Sequence, residues 1–255
     1  MTEHPYFDTA GAVAALAHRG FSRDGLENSM AAFQAAVDLG YRYVETDAHG
    51  TADGVAVALH DASLDRTTDA SGNVSALPWA RVKGARIGGV EPVPLLEDVL
   101  GTWPDLRVNI DVKAASGIGP IAAAIERTHA HDRVCIASFS AARRTATVAK
   151  LSRPVATSAG TREVGAFVLG ARLGAAALGP LSAVDAVQVP EKAGPLTVVS
   201  ERTLTAAHRA RKHVHVWTVN DPAQMARLID LGVDGIVTDR ADLLKDVLIR
   251  LERWQ

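Results

Sequence analysis

Eight short runs rich in β-branched residues alternate with alanine-rich stretches of helical periodicity, and this alternation constrains the fold more than any other feature of the chain. The runs lie at 13–17, 42–47, 107–113, 134–138, 155–158, 186–189, 214–219 and 235–238. Strands separated by crossover helices must run parallel, and a parallel sheet needs helices on its faces. Eight such units in 255 residues match the size of a closed (β/α)8 barrel, about 250 residues. The expectation is an α/β protein, a TIM-type barrel, with one domain spanning residues 1–255.

The helical stretches carry end signals. In LENSMAAFQAAVDLG, Asn28 reads as an N-cap and Gly40 as the stop. In NDPAQMARLIDLG, Asp221 caps, Pro222 takes the first turn and Gly232 ends the helix. Pro94 opens PLLEDVL, and DLLKDVLIRLERW forms an amphipathic final helix.

Two places break the rhythm. HGTADGVAVALHD leaves no room for a crossover helix, and its ADG predicts a hairpin extension of the second strand. A turn centred on Ala52–Asp53 would set His60 opposite Glu45. Residues 61–93, rich in Ser, Thr, Gly and Pro, read as a small insertion.

Composition removes some functions. The net charge of −2 comes from interspersed acids and bases, which argues against nonspecific nucleic-acid binding. Cys135 is the single cysteine, so no internal disulfide is possible, and a lone thiol suits a reducing cytoplasm. MTEHPYFDTAGAVAALAHRG lacks a basic n-region and reads as no signal peptide; no apolar run reaches membrane-spanning length. A small-molecule substrate is the expected partner.

Barrel enzymes carry their chemistry at the C-terminal ends of strands. Glu45 and Asp47 are two apart, so they share one strand face; Asn109, Asp111 and Lys113 repeat the pattern. Three carboxylates at one barrel mouth repel unless a cation separates them, and their hard oxygens suit Mg²⁺ or Ca²⁺. His18 in AHRG and His60 in ALHD can divide the work of general acid and general base. Arg19 offers a planar fork for a phosphate, and Lys113 adds a point charge.

Taken in order, AHRG, GLENS, VETDAHGTADGVAVALHDASLDRTT, VPLLEDVL, VNIDVK, ASF, VWTVN and GVDGIVTDRADLL resemble the motif series of the glycerophosphodiester phosphodiesterases. The resemblance runs from His18 to about Leu244 and is thinnest between Ser140 and Val184. It implies metal ligands at Glu45, Asp47 and Asp111, acid and base at His18 and His60, and phosphate holders at Arg19 and Lys113. It also implies that Glu27 and Trp217 line the site, and that residues 61–93 shape the substrate entrance. The third ligand is usually glutamate in that family; Asp111 is one methylene shorter, so a metal would sit closer to its strand or be reached through water.

The implied reaction is hydrolysis of a glycerophosphodiester to sn-glycerol 3-phosphate and an alcohol. Alternatives are phospholipase-D-like hydrolysis of lysophospholipids on the same site, a non-catalytic phosphate-binding barrel, and a barrel of another chemistry such as an enolase-like metal enzyme. The mixed, polar sequence of 61–93 leans toward a soluble headgroup. His49 reads as a hairpin-surface residue. His129, His131, His208, His213 and His215 read as structural or solvated, and Cys135 as core. LGARLGAAALG lacks the strand that a phosphate loop needs, and RARKH reads as a solvated helix end.

Overall fold

The computed structural model describes residues 4–173 and 179–254. Eight parallel strands form a nearly closed barrel: β1 (Ala14–His18), β2 (Tyr43–Gly50), β6 (Arg107–Val112), β7 (Val134–Ala137), β8 (Ala156–Thr157), β9 (Ala186–Val189), β12 (His213–Val216) and β13 (Gly235–Thr238). Each of the eight runs read from the sequence is one of these strands. Neighbours pair in the order β8-β7-β6-β2-β1-β13-β12-β9. The remaining seam, β8 to β9, is held by a single Ser158–Ala186 bridge, with Asp185 accepting from the Thr157 amide and hydroxyl.

Helices cover the outside: α1 (Met30–Asp38), α3 (Leu96–Thr102), α4 (Ile118–Thr128), α5 (Ala141–Val148), α6 (Thr161–Arg172), α7 (Glu201–Arg209), α8 (Pro222–Leu231) and α9 (Ala241–Arg250). Each buries a stripe of helical period; α8 buries Met225, Leu228 and Ile229 beneath its Asp221 cap, and Gly232 ends it in the left-handed region. The 3₁₀ turn Pro5–Phe7 plugs the barrel floor, where Tyr6 packs edge-on against Phe7 and Tyr43. Among the described residues no helix is long and apolar enough to cross a membrane. The stretch LGARLGAAALG enters α6 and then passes outside the described residues.

Strand β2 does continue into a hairpin with β3 (Ala56–Ala58), in the register Ala48 to Ala58 and Gly50 to Ala56. That register differs from the expected one by a residue. The tight turn is where expected, with the Thr51 carbonyl accepting the Gly54 amide across Ala52 and Asp53, but Thr51 also donates its amide to the Val55 carbonyl, and the extra residue in the loop shifts the pairing. Leu59 therefore bonds across to Asp47, and His60 lies past the paired segment. Gly50 is required here: a Cβ would stand 2.1 Å from the Ser116 carbonyl oxygen.

Residues 61–93 hold α2 (Trp79–Val82) and a small hairpin of β4 (Arg86–Ile87) with β5 (Glu91–Pro92). Leu64, Val74, Val82, Ile87 and Val93 give this insertion its own core, continuous with Val57 and Leu59. A second correction concerns α1. Ser29, not Asn28, is its N-cap, with Oγ accepting from the Ala32 amide. Asn28 stands at φ 59° with its side chain turned to the barrel mouth.

Candidate active site

Parallel register assembles the site. His18 of β1 lies level with Glu45 of β2, while Glu45 and Asp47 lie level with Asn109 and Asp111 of β6. Since alternate residues share a face, all of these side chains turn into the same end of the barrel. Glu45, Asp47 and Asp111 are all buried.

The loop after β1 is shaped for this arrangement. Arg19 occupies the left-handed region at φ 57°, donating its amide to the Glu45 carbonyl while its own carbonyl accepts from Asn28. Gly20 follows at φ 80°, where a Cβ would meet the Ala32 backbone at 2.6 Å, so the glycine of AHRG is a steric necessity. Asn28 donates to Asp47 Oδ2 at 3.2 Å and accepts from Thr46 Oγ1 at 2.7 Å.

Charges are paired tightly. Arg19 Nε lies 2.9 Å from Asp47 Oδ2, an ion pair outside hydrogen-bond geometry, and Arg19 Nη1 reaches Glu27 at 3.0 Å. Lys113 Nζ sits between Asp47 Oδ1, at 3.1 Å, and Asp111 Oδ2, at 3.2 Å. Burial would raise the Asp47 carboxyl, but Lys113 and Arg19 together hold it below its ordinary value. Glu45 goes the other way: burial, then the neighbouring Asp47 charge, push it up to about 8 against the pull of His18 and Arg19. Burial also raises Asp111, against the pull of Lys113, and its Oδ1 has no hydrogen-bond partner among the described residues.

Each histidine has its own carboxylate. His18 Nδ1 is 2.6 Å from Asp239 Oδ1, and its Nε2 faces Glu45 at 3.8 Å. Burial pulls the His18 imidazole down, but the Asp239 hydrogen bond and the Glu45 charge raise it above its ordinary value. Asn220 fixes Asp239 in turn, donating to Oδ2 at 2.8 Å and accepting the Asp239 amide. His60 Nδ1 is 2.5 Å from Asp61 Oδ1. Arg66, from the insertion, grips Asp61 Oδ2 through Nε at 2.6 Å and Glu27 Oε1 through Nη2 at 2.7 Å. The hydrogen bond and charge of Arg66 hold the Asp61 carboxyl well below the usual range.

All the residues singled out from the sequence thus meet at one mouth. His18, Arg19, Glu45, Asp47, His60, Asp111, Lys113 and Trp217 line a cavity of about 610 Å³, and Glu27 stands behind Arg19. One expectation needs correction. His49 is buried rather than superficial, and its Nε2 contacts the His60 carbonyl oxygen at 3.1 Å, because the inward face of β2 extends through it. Residues 61–93 do not line the cavity; its far wall comes from residues 137–198. Arg19 and Lys113, read from the sequence as phosphate holders, are both engaged by carboxylates in this structure.

Sequence reasoning passed over Asp239, Asp61, Arg66 and Asn28. Asp239 and Asp61 stand in the quoted IVTD and LHD elements, so the signal existed; their pairing with a particular ring did not. Of the other histidines, His215 is buried and pushed down to about 4 by burial, and His208 pairs with Asp234. Cys135 is buried in the barrel floor, as expected.

Comparison with known proteins agrees with this geometry. Residues 18–243 match the glycerophosphoryl diester phosphodiesterase family. "Probable glycerophosphodiester phosphodiesterase 2" of Mycobacterium tuberculosis is 47% identical over 247 residues, covering 96% of this chain and 94% of that protein. Among solved structures, a glycerophosphodiester phosphodiesterase from Agrobacterium tumefaciens superposes with a TM-score of 0.72 at 23% identity, over 92% of this chain and 98% of the other. A phosphodiesterase from Oleispira antarctica, solved with the product sn-glycerol 3-phosphate, superposes with a TM-score of 0.74 at 19% identity, over 94% and 98% of the two chains. This chain is a phosphodiesterase of the glycerophosphoryl diester phosphodiesterase family.

Proposed function

We propose that this chain, acting as a single barrel domain, hydrolyses glycerophosphodiesters to sn-glycerol 3-phosphate and an alcohol with the help of one divalent cation, Mg²⁺ or Ca²⁺. The observation that carries this reading is the meeting of two His–Asp pairs and three buried carboxylates in one cavity. The product bound to the Oleispira phosphodiesterase supports the choice of substrate class.

The residues fit a cation. Asp111 Oδ1 is buried without a partner among the described residues, and burial beside Asp47 makes a negative charge on Glu45 costly. An unpaired buried carboxylate is costly, and an all-oxygen donor set suits a hard ion. Among the described residues no three acidic or histidine side chains already converge as ligands, because Lys113 stands between Asp47 and Asp111. We assign Glu45, Asp47 and Asp111 as the holders of the ion. A cation bound there supplies positive charge to the phosphoryl oxygens in the transition state.

The chain's own groups do the rest. Substrate phosphate competes with the carboxylates for Arg19 and Lys113, which then hold its oxygens. Asp239, an ionised acceptor, fixes a proton on His18 Nδ1 and leaves Nε2 facing the reaction centre. His18, with its raised proton affinity, is the general acid that protonates the leaving alkoxide. His60, oriented by Asp61, is the general base that takes the proton of the nucleophile. The single buried thiol suits a reducing cytoplasm.

Release of glycerol 3-phosphate from glycerophosphocholine tests the reading. Turnover should vanish with EDTA and return with Mg²⁺ or Ca²⁺. Turnover indifferent to EDTA would remove the cation, and no turnover with either ion would remove the substrate class.

A further inference from the structure

The carboxylates and their cations stand on one side of the cavity, and the opposite side is an apolar wall. Val164, Val168 and Leu169 supply it from α6, and Leu196 from the antiparallel pair β10 (Lys192–Ala193) and β11 (Leu196–Thr197). Arg172 joins the two parts by donating to the Thr197 carbonyl at 2.8 Å.

This wall continues onto the outer surface. Leu169 is 60% exposed and Leu173, one turn further along, 75%. Leu196 is 38% exposed, in a hairpin whose residues 192 to 197 are all exposed, and Phe139 at the same cavity is 56% exposed. Among the described residues, four of the six exposed large apolar side chains thus gather at this one rim. Scattered exposed leucines need no explanation, whereas a gathered patch marks a surface that meets something.

The unpaired charges beside the patch are mostly basic. The outward face of α6 runs through Arg162, Leu169, Arg172 and Leu173 at helical spacing and carries no acid. Glu163 is taken up by Arg144 at 2.6 Å, and Glu191, next to the hairpin, by Arg227 at 2.7 Å. Among the described residues Arg162, Arg172, Lys192 and Arg202 form no ion pair; Arg172 and Arg202 donate to backbone carbonyls instead. Glu201 is the one unpaired acid in these segments, on a chain whose net charge is −2.

We infer that this rim docks on an anionic lipid bilayer, with Leu169, Leu173, Leu196 and Phe139 entering the interface and the four bases meeting lipid phosphates. Apolar side chains flanked by Lys and Arg settle in the interfacial layer, and each base close to an anionic surface adds to the binding. A second copy of the chain fits the face less well, because a two-fold contact sets the same bases against one another. The substrate class proposed above agrees with docking, since a glycerophosphodiester is a phospholipid head without its acyl chains and arises at a lipid surface. Docking itself concerns where the barrel sits, whatever it cleaves.

Sedimentation of the whole chain with phosphatidylcholine vesicles, made with and without phosphatidylglycerol, tests this. Binding should be at least about tenfold tighter with phosphatidylglycerol and should weaken as salt is raised. Leu169→Asn and Leu196→Asn should each weaken it by at least about threefold. Arg162→Gln combined with Arg172→Gln should remove most of the preference for the anionic lipid. Ile249, 50% exposed near the far end of α9, serves as control, and Ile249→Asn should leave binding as it was. Circular dichroism on each variant separates lost binding from lost fold, and the leucine and arginine variants probe the face independently. No sedimentation with either vesicle would overturn the inference, as would equal binding with and without phosphatidylglycerol, or binding that these leucine and arginine variants leave unchanged. Self-association that the leucine variants abolish, without vesicle binding, would overturn it too and give the face to a second copy.

Discussion

His18 Nδ1 and Asp239 Oδ1 stand 2.6 Å apart although 221 positions separate them in sequence. The bond spans the first and last strand ends of the barrel, and it decides which ring nitrogen of His18 is left for chemistry. Burial alone would lower the affinity of this imidazole for its second proton, and Asp239 with Glu45 more than reverses that. With a raised value the protonated form survives to higher pH and is lost as pH climbs through it. Asp239→Asn should therefore move the alkaline limb of the kcat/KM profile to lower pH and reduce the maximum at least about tenfold. A limb that stays in place would show that His18 is not the acid.

Arg66, from the insertion, is tied to Asp61, the partner of His60, and to Glu27. It touches no reacting group in this arrangement and acts by position. Arg66→Ala should lower kcat by roughly a hundredfold, the cost of small displacements of a catalytic group, with KM less affected. Arg66→Lys should recover only part of the loss, because an ammonium lacks the planar, spaced donors with which Arg66 grips Asp61 through Nε and Glu27 through Nη2. Equal kcat in wild type and Arg66→Ala would make the contact purely structural.

Replacing either histidine by alanine should leave the fold intact and cut turnover by at least about a hundredfold. Circular dichroism and steady-state rates on the same preparations check this. Near-normal turnover in one variant would remove that histidine from the chemistry.

Glu45 gives the metal-free protein a defined pH response. Its folded value, about 8, lies above that of an unfolded glutamate, so ionising it in place costs stability as pH rises toward and past neutrality. A bound cation should offset that cost. Thermal melts with EDTA should fall from pH 5 to pH 8, and added Mg²⁺ or Ca²⁺ should raise the melting temperature more at pH 8 than at pH 5. Glu45→Gln should remove most of the difference; an equal ion effect at both pH values would argue against Glu45 as a ligand.

Gly50→Ala tests packing rather than chemistry. The added methyl would collide with backbone, the Ser116 carbonyl at 2.1 Å, which cannot swing aside as a side chain can. A loss of about 1–3 kcal/mol in urea unfolding is expected, and a neutral result would mean that the turn holding Ser116 yields easily.

Strand identities were legible because local composition alone sets them: β-branched runs between alanine-rich helices leave little else to form. The carboxylates were legible for a similar reason, since alternation on one strand places Glu45 with Asp47 whatever lies around them. What failed depended on partners far away. Asn28 has the chemistry of a cap, yet Ser29 takes that role and Asn28 is drawn to Asp47, a contact that exists only once β1 and β2 are side by side. His49 looked superficial because hairpins usually are; here β2 carries its inward face beyond the barrel rim. The apolar wall was missed for the same cause, since α6 and β11 approach the cavity from stretches where no motif points to it.

The barrel closes by pairing β1 with β13, Ala14 beside Gly235 and Ala17 beside Thr238. A ring of strands joined in this way has long sequence separation built into its last contact, and such contacts form slowly. During synthesis β1 emerges before the other seven barrel strands and must wait for the last of them before it gains its second neighbour, its edge open to other partners meanwhile. The bond between Asp239 and His18 is thus among the last to become available, and His18 gains its carboxylate only once β13 has joined β1.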